Sequence, residues 1–293
     1  MQITKLGVIG GSGLYAMEGL TDVREVEVDT PFGKPSDVIT TGRLGASELA
    51  FLPRHGRGHR LMPSELPFQA NIYALKMLGV QAVLAISAVG SMREDIVPGH
   101  LVVVSQFIDP TRHRPDTFFG DGIVGHVHFA DPICTCLAAS VLASARDAGA
   151  TVHEGGTYVC MEGPQFSTRA ESHLYRSWGV DVIGMTNPQE AKLAREAGLC
   201  YSTLALATDY DCWHESEEDV SVEAVLEVIR NNVSTAKATI AALAGRLPLA
   251  RACSCRRALE HAIMTAKDVI PEATRKRLEH ILPLSFGGLH SFE

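Results

Sequence analysis

Two carboxylates one residue apart, Asp209 and Asp211, close the apolar run Thr203 to Thr208. A carboxyl that donates a proton at neutral pH needs a raised pKa, and burial or a neighbouring like charge supplies it. A pair of this kind could serve acid–base chemistry. An isolated Asp-Tyr-Asp is more often a capped, solvated turn. A second cluster, Arg54 to Arg60, packs three arginines and two histidines (His55, His59) directly after the apolar run ending at Leu52. A guanidinium fork suits phosphate oxygens, although such a run is usually a solvated basic loop. A third feature, Gly10 to Gly13, follows the run Leu6 to Ile9. Its backbone amides and the Ser12 hydroxyl could cradle a small phosphate. Gly11, Gly13 and Ala16 also fit the G-x-G-x-x-A dinucleotide fingerprint, and a tight turn that binds nothing is the third option.

All of these lie where apolar runs stop. Further runs cover Leu49 to Leu52, Ala82 to Val89, Leu101 to Ile108, Thr157 to Met161 and Val180 to Met185. Each is of strand length and rich in Val, Ile or Leu, as strands buried on both faces are. Helices are expected over Pro67 to Leu78, Pro132 to Ala148, Ser167 to Trp178 with a capped start, Pro188 to Ala197, Val220 to Leu243 and Ala258 to Asp268. Alternation of the two kinds predicts an α/β fold, a single domain with a central, mostly parallel, twisted mixed sheet flanked by helices. Residues 245–293 read as a C-terminal helical extension, and residues 109–131 as a long loop. Ligands in such sheets sit beyond strand ends, where Ser87-Ala88-Val89-Gly90-Ser91 and Gly184-Met185-Thr186 bring small residues and hydroxyls. The dinucleotide option, which implies an NAD-dependent oxidoreductase, needs a helix after the loop. None is patterned before Gly19, and Asp29, a candidate ribose acid with Glu27, precedes a turn at Thr30 to Gly33.

The chain has 293 residues, 46% hydrophobic and 20% charged, with a net charge of −8. That is a globular composition without the basic footprint of a nucleic-acid binder. No apolar run reaches membrane-spanning length and the N-terminus is not patterned as a signal peptide, so a cytoplasmic protein is expected. Seven scattered cysteines imply no disulfide framework. Cys134/Cys136 and Cys253/Cys255 form C-x-C pairs, but zinc sites more often use C-x2-C. No metal is expected, and buried small side chains are the plain reading.

GVIGGSGLY, TPFGKPSD, RHGRGH, NIYALK, GSMREDIVPG, QFID, EGPQFSTRAES, MTNPQEAKLAREAG and ATDYDCW occur in that order. Together they resemble the methylthioadenosine phosphorylase branch of the trimeric purine nucleoside phosphorylases, from about residue 5 to 240. The resemblance implies phosphorolysis of a purine nucleoside, methylthioadenosine first, with a broader purine nucleoside phosphorylase (adenosine, methylthioinosine) as the alternative. It implies a homotrimer and no cofactor, inorganic phosphate being a co-substrate. It places phosphate on Ser12, Arg54, His55, Ser87, Ala88 and Thr186; family members often carry Thr at Ser12 and Ser87, which keeps the hydroxyl. It places Met185 under the ribose, Phe166 against the purine, Asp209 and Asp211 on the base, and Val222 and Val225 near the 5′-substituent. His128 is to reach a neighbouring subunit's site, although the loop before it is shortened here. The tail CSCRRALEHAIMT resembles that of members whose cysteine pair, here Cys253/Cys255, can be oxidised.

Overall fold

The computed structural model describes residues 2–11, 13, 14, 16–214, 222–250 and 252–289; between 222 and 231 only the side chain at position 228 is described. The chain opens with β1 (Gln2–Ile3), β2 (Lys5–Gly10), β3 (Leu20–Val26), β4 (Ile39–Leu44) and β5 (Ser47–Pro53). Then come α1 (Phe68–Met77), β6 (Ala82–Ser91), β7 (Leu101–Val103), β8 (Gln106–Ile108) and α2 (Thr135–Asp147). β9 (Val152–Glu154), β10 (Thr157–Cys160), α3 (Arg169–Ser177), β11 (Val182–Gly184), α4 (Asn187–Glu196) and β12 (Cys200–Asp209) follow. The chain ends through α5 (Val222–Gly245), β13 (Leu249–Ala250) and α6 (Glu272–Arg277).

Eleven strands form one mixed sheet, ordered β3-β4-β5-β2-β6-β11-β10-β8, with β12 on β6 and β7, and β9 on β7. β6 is its hub. Its first residues pair in parallel with β2 and β12, and its last two pair antiparallel with β11. This follows from composition: AVLAISAVGS offers small and β-branched side chains to both faces. Val83 and Ala85 enter a core with α1 and α4, whereas Ala82, Leu84 and Ile86 enter the opposite core with α2 and α5. The period of two thus divides one strand between two helical layers.

The expected fold class holds, and four expectations change. The run Leu101 to Ile108 is two strands, because β7 joins β12 and β9 while β8 joins β10. β3 and β4 were not anticipated, since β3 is an almost wholly exposed edge strand with no apolar run. The third helix begins at Arg169, two residues later than expected, with Thr168 as its N-cap, whose side chain and Glu171 form a reciprocal capping box. Ala258 to Asp268 is not a helix. Its backbone pairs instead with the long loop, through His126 N–H to Ala262 O (2.8 Å) and Met264 N–H to Val124 O (2.9 Å). Leu259, Ala262 and Ile270 are buried in the core. Only α6, six residues long, makes the C-terminal extension α-helical among the described residues.

Candidate active site

β2, β5, β6 and β12 run parallel, so their C-terminal ends converge on one rim. The antiparallel register Val182↔Ser91 and Ile183↔Gly90 turns the chain after β11 back toward Ser87. The rim has an open floor: Ala88 is exposed although it lies within the central strand, and Ser87 beside it is buried. A gap over the middle of a sheet is where a ligand fits.

Arg54 leaves β5 almost fully buried. Its Nε and Nη2 donate to the two oxygens of Glu190 at 2.5 and 3.1 Å, and Nη1 donates to Ile86 O at 2.8 Å. Burial opposes its charge, but Glu190 more than restores it and raises the guanidinium pKa. The fork that sequence reasoning gave to phosphate is therefore occupied by a carboxylate. The remaining Arg54 donors go to the Ile86 and Ile9 carbonyls.

Two further candidate phosphate groups, Thr186 and His55, lie in this region. Thr186 is the N-cap of α4, buried, with no side-chain cap bond, and the helix presents its N-terminal amides there. Its N–H donates to Tyr158 OH at 3.2 Å. That hydroxyl fills the space where a Cβ on Gly184 would stand, so only glycine fits at the end of β11. His55 stacks on His59 and pairs its Nδ1 with Leu61 O at 2.8 Å. Burial lowers its pKa to about 4. The ring is neutral at pH 7, with Nδ1 protonated by assignment from that bond and Nε2 left as an acceptor.

Asp209 ends β12. It accepts from Thr208 Oγ1 (2.6 Å) and from Asp211 N–H (2.8 Å). Asp211 follows with φ of 53°. Asp211 and Ser172 are both buried, and the Ser172 hydroxyl lies near the Asp211 carboxyl. Burial raises both carboxyl pKa values; the Asp211 charge adds to the rise at Asp209, and nearby Ser172 and Ser167 hydroxyls pull that of Asp211 back. The following residues fasten the turn: Trp213 Nε1 donates to Ser91 O (2.8 Å) and Arg169 Nη1 to Cys212 O (3.1 Å). Cys212 Sγ lies 3.2 Å from Ser167 O. Phe166, the residue before Ser167, is half exposed.

Sequence reasoning missed three contributors. Arg114, in the long loop, is buried and donates to Glu162 Oε1 (2.9 Å), Glu162 O and Met185 O, fixing the Met185 backbone. Glu190 holds Arg54. Tyr201 holds Glu190 at 3.0 Å. Position in a loop already read as functional could have flagged Arg114; nothing local could have paired Arg54 with Glu190, 136 residues away. His128 is not at this rim. It is exposed, its carbonyl held by Arg195 at 2.8 Å, and Arg195 lies about 14 Å along α4 from Thr186. Ser12 lies outside the described residues, as do the side chains of Val222 and Val225. The dinucleotide option finds no support: among the described residues the next element after Gly10 to Gly13 is a strand, β3, and not a helix whose N-terminus could hold a pyrophosphate.

The family model described as the phosphorylase superfamily matches residues 5–244. The chain is 60% identical over 278 residues to the S-methyl-5'-thioadenosine phosphorylase of Geobacter sulfurreducens, covering 94% of this chain and 97% of that one. It is 53% identical over 283 residues to that of Koribacter versatilis, covering 97% of each. Among solved structures it resembles a methylthioadenosine phosphorylase from an antarctic soil metagenomic library (TM-score 0.89, 47% identity, 95% of this chain and 98% of that one). It also resembles a mutant adenosine/methylthioadenosine phosphorylase of Schistosoma mansoni in complex with methylthioadenosine (TM-score 0.77, 37% identity, 83% and 91%).

Proposed function

The chain belongs to the phosphorylase superfamily, and we propose that it cleaves S-methyl-5'-thioadenosine with inorganic phosphate, releasing adenine and 5-methylthioribose 1-phosphate. The observation that carries this reading is the carboxyl pair at the end of β12, Asp211 buried and Asp209 partly buried, both lifted in pKa by burial, near an open floor at Ala88.

Breaking the bond between sugar C1′ and purine N9 builds positive charge on the sugar and negative charge on the base. Asp209, whose pKa burial raises, gives its proton to purine N7 as the bond breaks. Asp211 is an acceptor just past the end of β12, with the Ser172 and Ser167 hydroxyls nearby. A 6-amino group supplies a donor to it, whereas a 6-oxo group would meet the carboxylate with a second acceptor. Phosphate sits at the α4 N-terminus with Thr186, Ser87, the Ala88 backbone, Ser12, Arg54 and His55, below C1′. A phosphate dianion favours a protonated His55 and raises its depressed pKa; proton uptake at His55 then accompanies phosphate binding. Met185, its carbonyl fixed by Arg114, lies under the ribose, and Phe166 covers the purine. Val222 and Val225 wall the 5′-substituent. Holding both reactants in line replaces a bimolecular encounter.

The active assembly is a homotrimer in which His128 serves a neighbouring subunit, and no cofactor is needed. A second reading adds adenosine as a substrate, favoured by the dual name of the Schistosoma mansoni relative. Adenine release from methylthioadenosine, followed with and without phosphate, tests the reaction: equal rates in both would make the chain a hydrolase. Rates on adenosine, methylthioinosine and inosine rank the substrates, and light scattering after gel filtration reads the assembly.

A further inference from the structure

Four cysteines far apart in sequence meet on the side of the sheet away from this rim. Cys134 is the N-cap residue of α2, Cys200 the first residue of β12, and Cys253 and Cys255 flank the turn after β13. Their four Sγ atoms all lie within 4.8 Å of one another, and Cys200 Sγ is 3.4 Å from Cys253 Sγ. A zinc ion with Zn–S bonds of about 2.3 Å separates its tetrahedral sulfurs by about 3.8 Å, which matches this set. Cys134 N–H donates to Tyr201 O at 2.9 Å, so the backbone fixes two ligands before any metal arrives. Cys134, Cys200 and Cys255 are buried and Cys253 is partly exposed, which leaves one side open for entry.

We propose that Cys134, Cys200, Cys253 and Cys255 form a tetrathiolate zinc site that clamps the C-terminal segment to the sheet. The donor set is the one soft, tetrahedral metals select. Binding forms four Zn–S bonds and releases four thiol protons to solvent, leaving a unit of charge −2. The surroundings suit that charge. A cavity of about 140 Å³ bordered by Cys255 is lined by His126, His128, Arg195, Arg257 and His261. Arg195 spends its donors on two carbonyls, those of His128 and Asp131, and so keeps its positive charge uncancelled there. The clamp also acts at a distance. Segment 252–289 pairs with residues 124 and 126 of the loop that carries Arg114, so it steadies the loop bearing on Met185.

A disulfide is the rival. It draws two sulfurs to about 2.05 Å and pairs cysteines two by two, whereas here four sulfurs share one compact volume. The site is independent of the proposed reaction. The test is to purify the full chain under a phosphine reductant from zinc-supplemented cells and measure metal per chain. The protein is then stripped with a chelator and titrated with Co²⁺. We expect one zinc per chain, thiolate-to-cobalt charge-transfer and tetrahedral d–d bands saturating at one equivalent, and a Tm lowered on the order of 10 °C by stripping. Cys200→Ser and Cys253→Ser lose the bands; Cys136→Ser keeps them. If either serine variant does not fold, the stripped and reloaded wild-type protein still decides. Less than a tenth of a metal per chain and no cobalt bands under reduction overturns the site, whether the thiols titrate as free or are missing as disulfides without reductant.

Discussion

Glu190→Gln tests how the proposed phosphate site is built. Arg54 and Glu190 have side chains only 4% and 2% exposed. Removing the charge of one partner strands the other in a low-dielectric interior, which costs about 3–5 kcal/mol, a large share of a typical stability of about 5–15 kcal/mol. The glutamine oxygen keeps one acceptor for Arg54 Nε, so we expect the lower end, about 3 kcal/mol. The structure adds a second expectation. In the wild-type protein phosphate meets a guanidinium already neutralised. In the variant it meets an unpaired buried cation. Phosphate at about 100 times its Kd stabilises any binding-competent protein by about 2.7 kcal/mol, and the variant should gain about 1 kcal/mol more than wild type at equal phosphate, as expected for tighter pairing with an unpaired charge. Urea unfolding of both proteins, with and without phosphate and with chloride at equal ionic strength, measures both quantities. A variant within about 1 kcal/mol of wild type would refute the desolvated pair. An identical phosphate gain in both proteins would refute an Arg54 that faces phosphate.

Asp209→Asn keeps a hydrogen-bond donor but no transferable proton, so kcat should fall about 10²- to 10⁴-fold with little change in fold. As the proposed acid, Asp209 acts when protonated and its pKa is raised, so kcat/KM should hold on the acid side and fall as pH rises through that value; a profile that rises instead removes Asp209 as the acid. Gly90→Ala would set a Cβ 2.9 Å from both Asp209 Oδ1 and Ile183 Cγ2. Displacing the acid should lower kcat up to about 10²-fold, and unchanged kinetics would show that Asp209 tolerates movement. Glu196 is buried, and burial raises its pKa to about 7 despite its bonds from Thr117 and Phe118. Its folded pKa lies above the unfolded value, so its contribution is present below about pH 4.5 and is lost as pH rises to about 7, up to about 3 kcal/mol. Glu196→Gln should flatten Tm between pH 5 and 8; an unchanged slope would assign the pH dependence elsewhere.

The sequence alone determined the α/β class, because continuous apolar runs such as Ala82 to Val89 can only be strands buried on both faces, and it located Asp209, Arg54 and Thr186 at run ends. It could not see β3, whose exposed edge carries no hydrophobic signal, nor predict that Ala258 to Asp268 would prefer loop partners to its own helix. Those outcomes depend on which distant backbone satisfies which hydrogen bond. The same limit applies at the site. The type of Arg54 suggested a phosphate ligand, but only tertiary structure revealed that Glu190 holds its fork, and that burial shifts the pKa values of His55, Asp209 and Asp211. Spacing also made Cys253 and Cys255 a bare pair; packing α2, β12 and the C-terminal turn together made them half of a four-sulfur cluster. Residue type states what a group can do, and desolvation with long-range pairing decides which of those capacities is used.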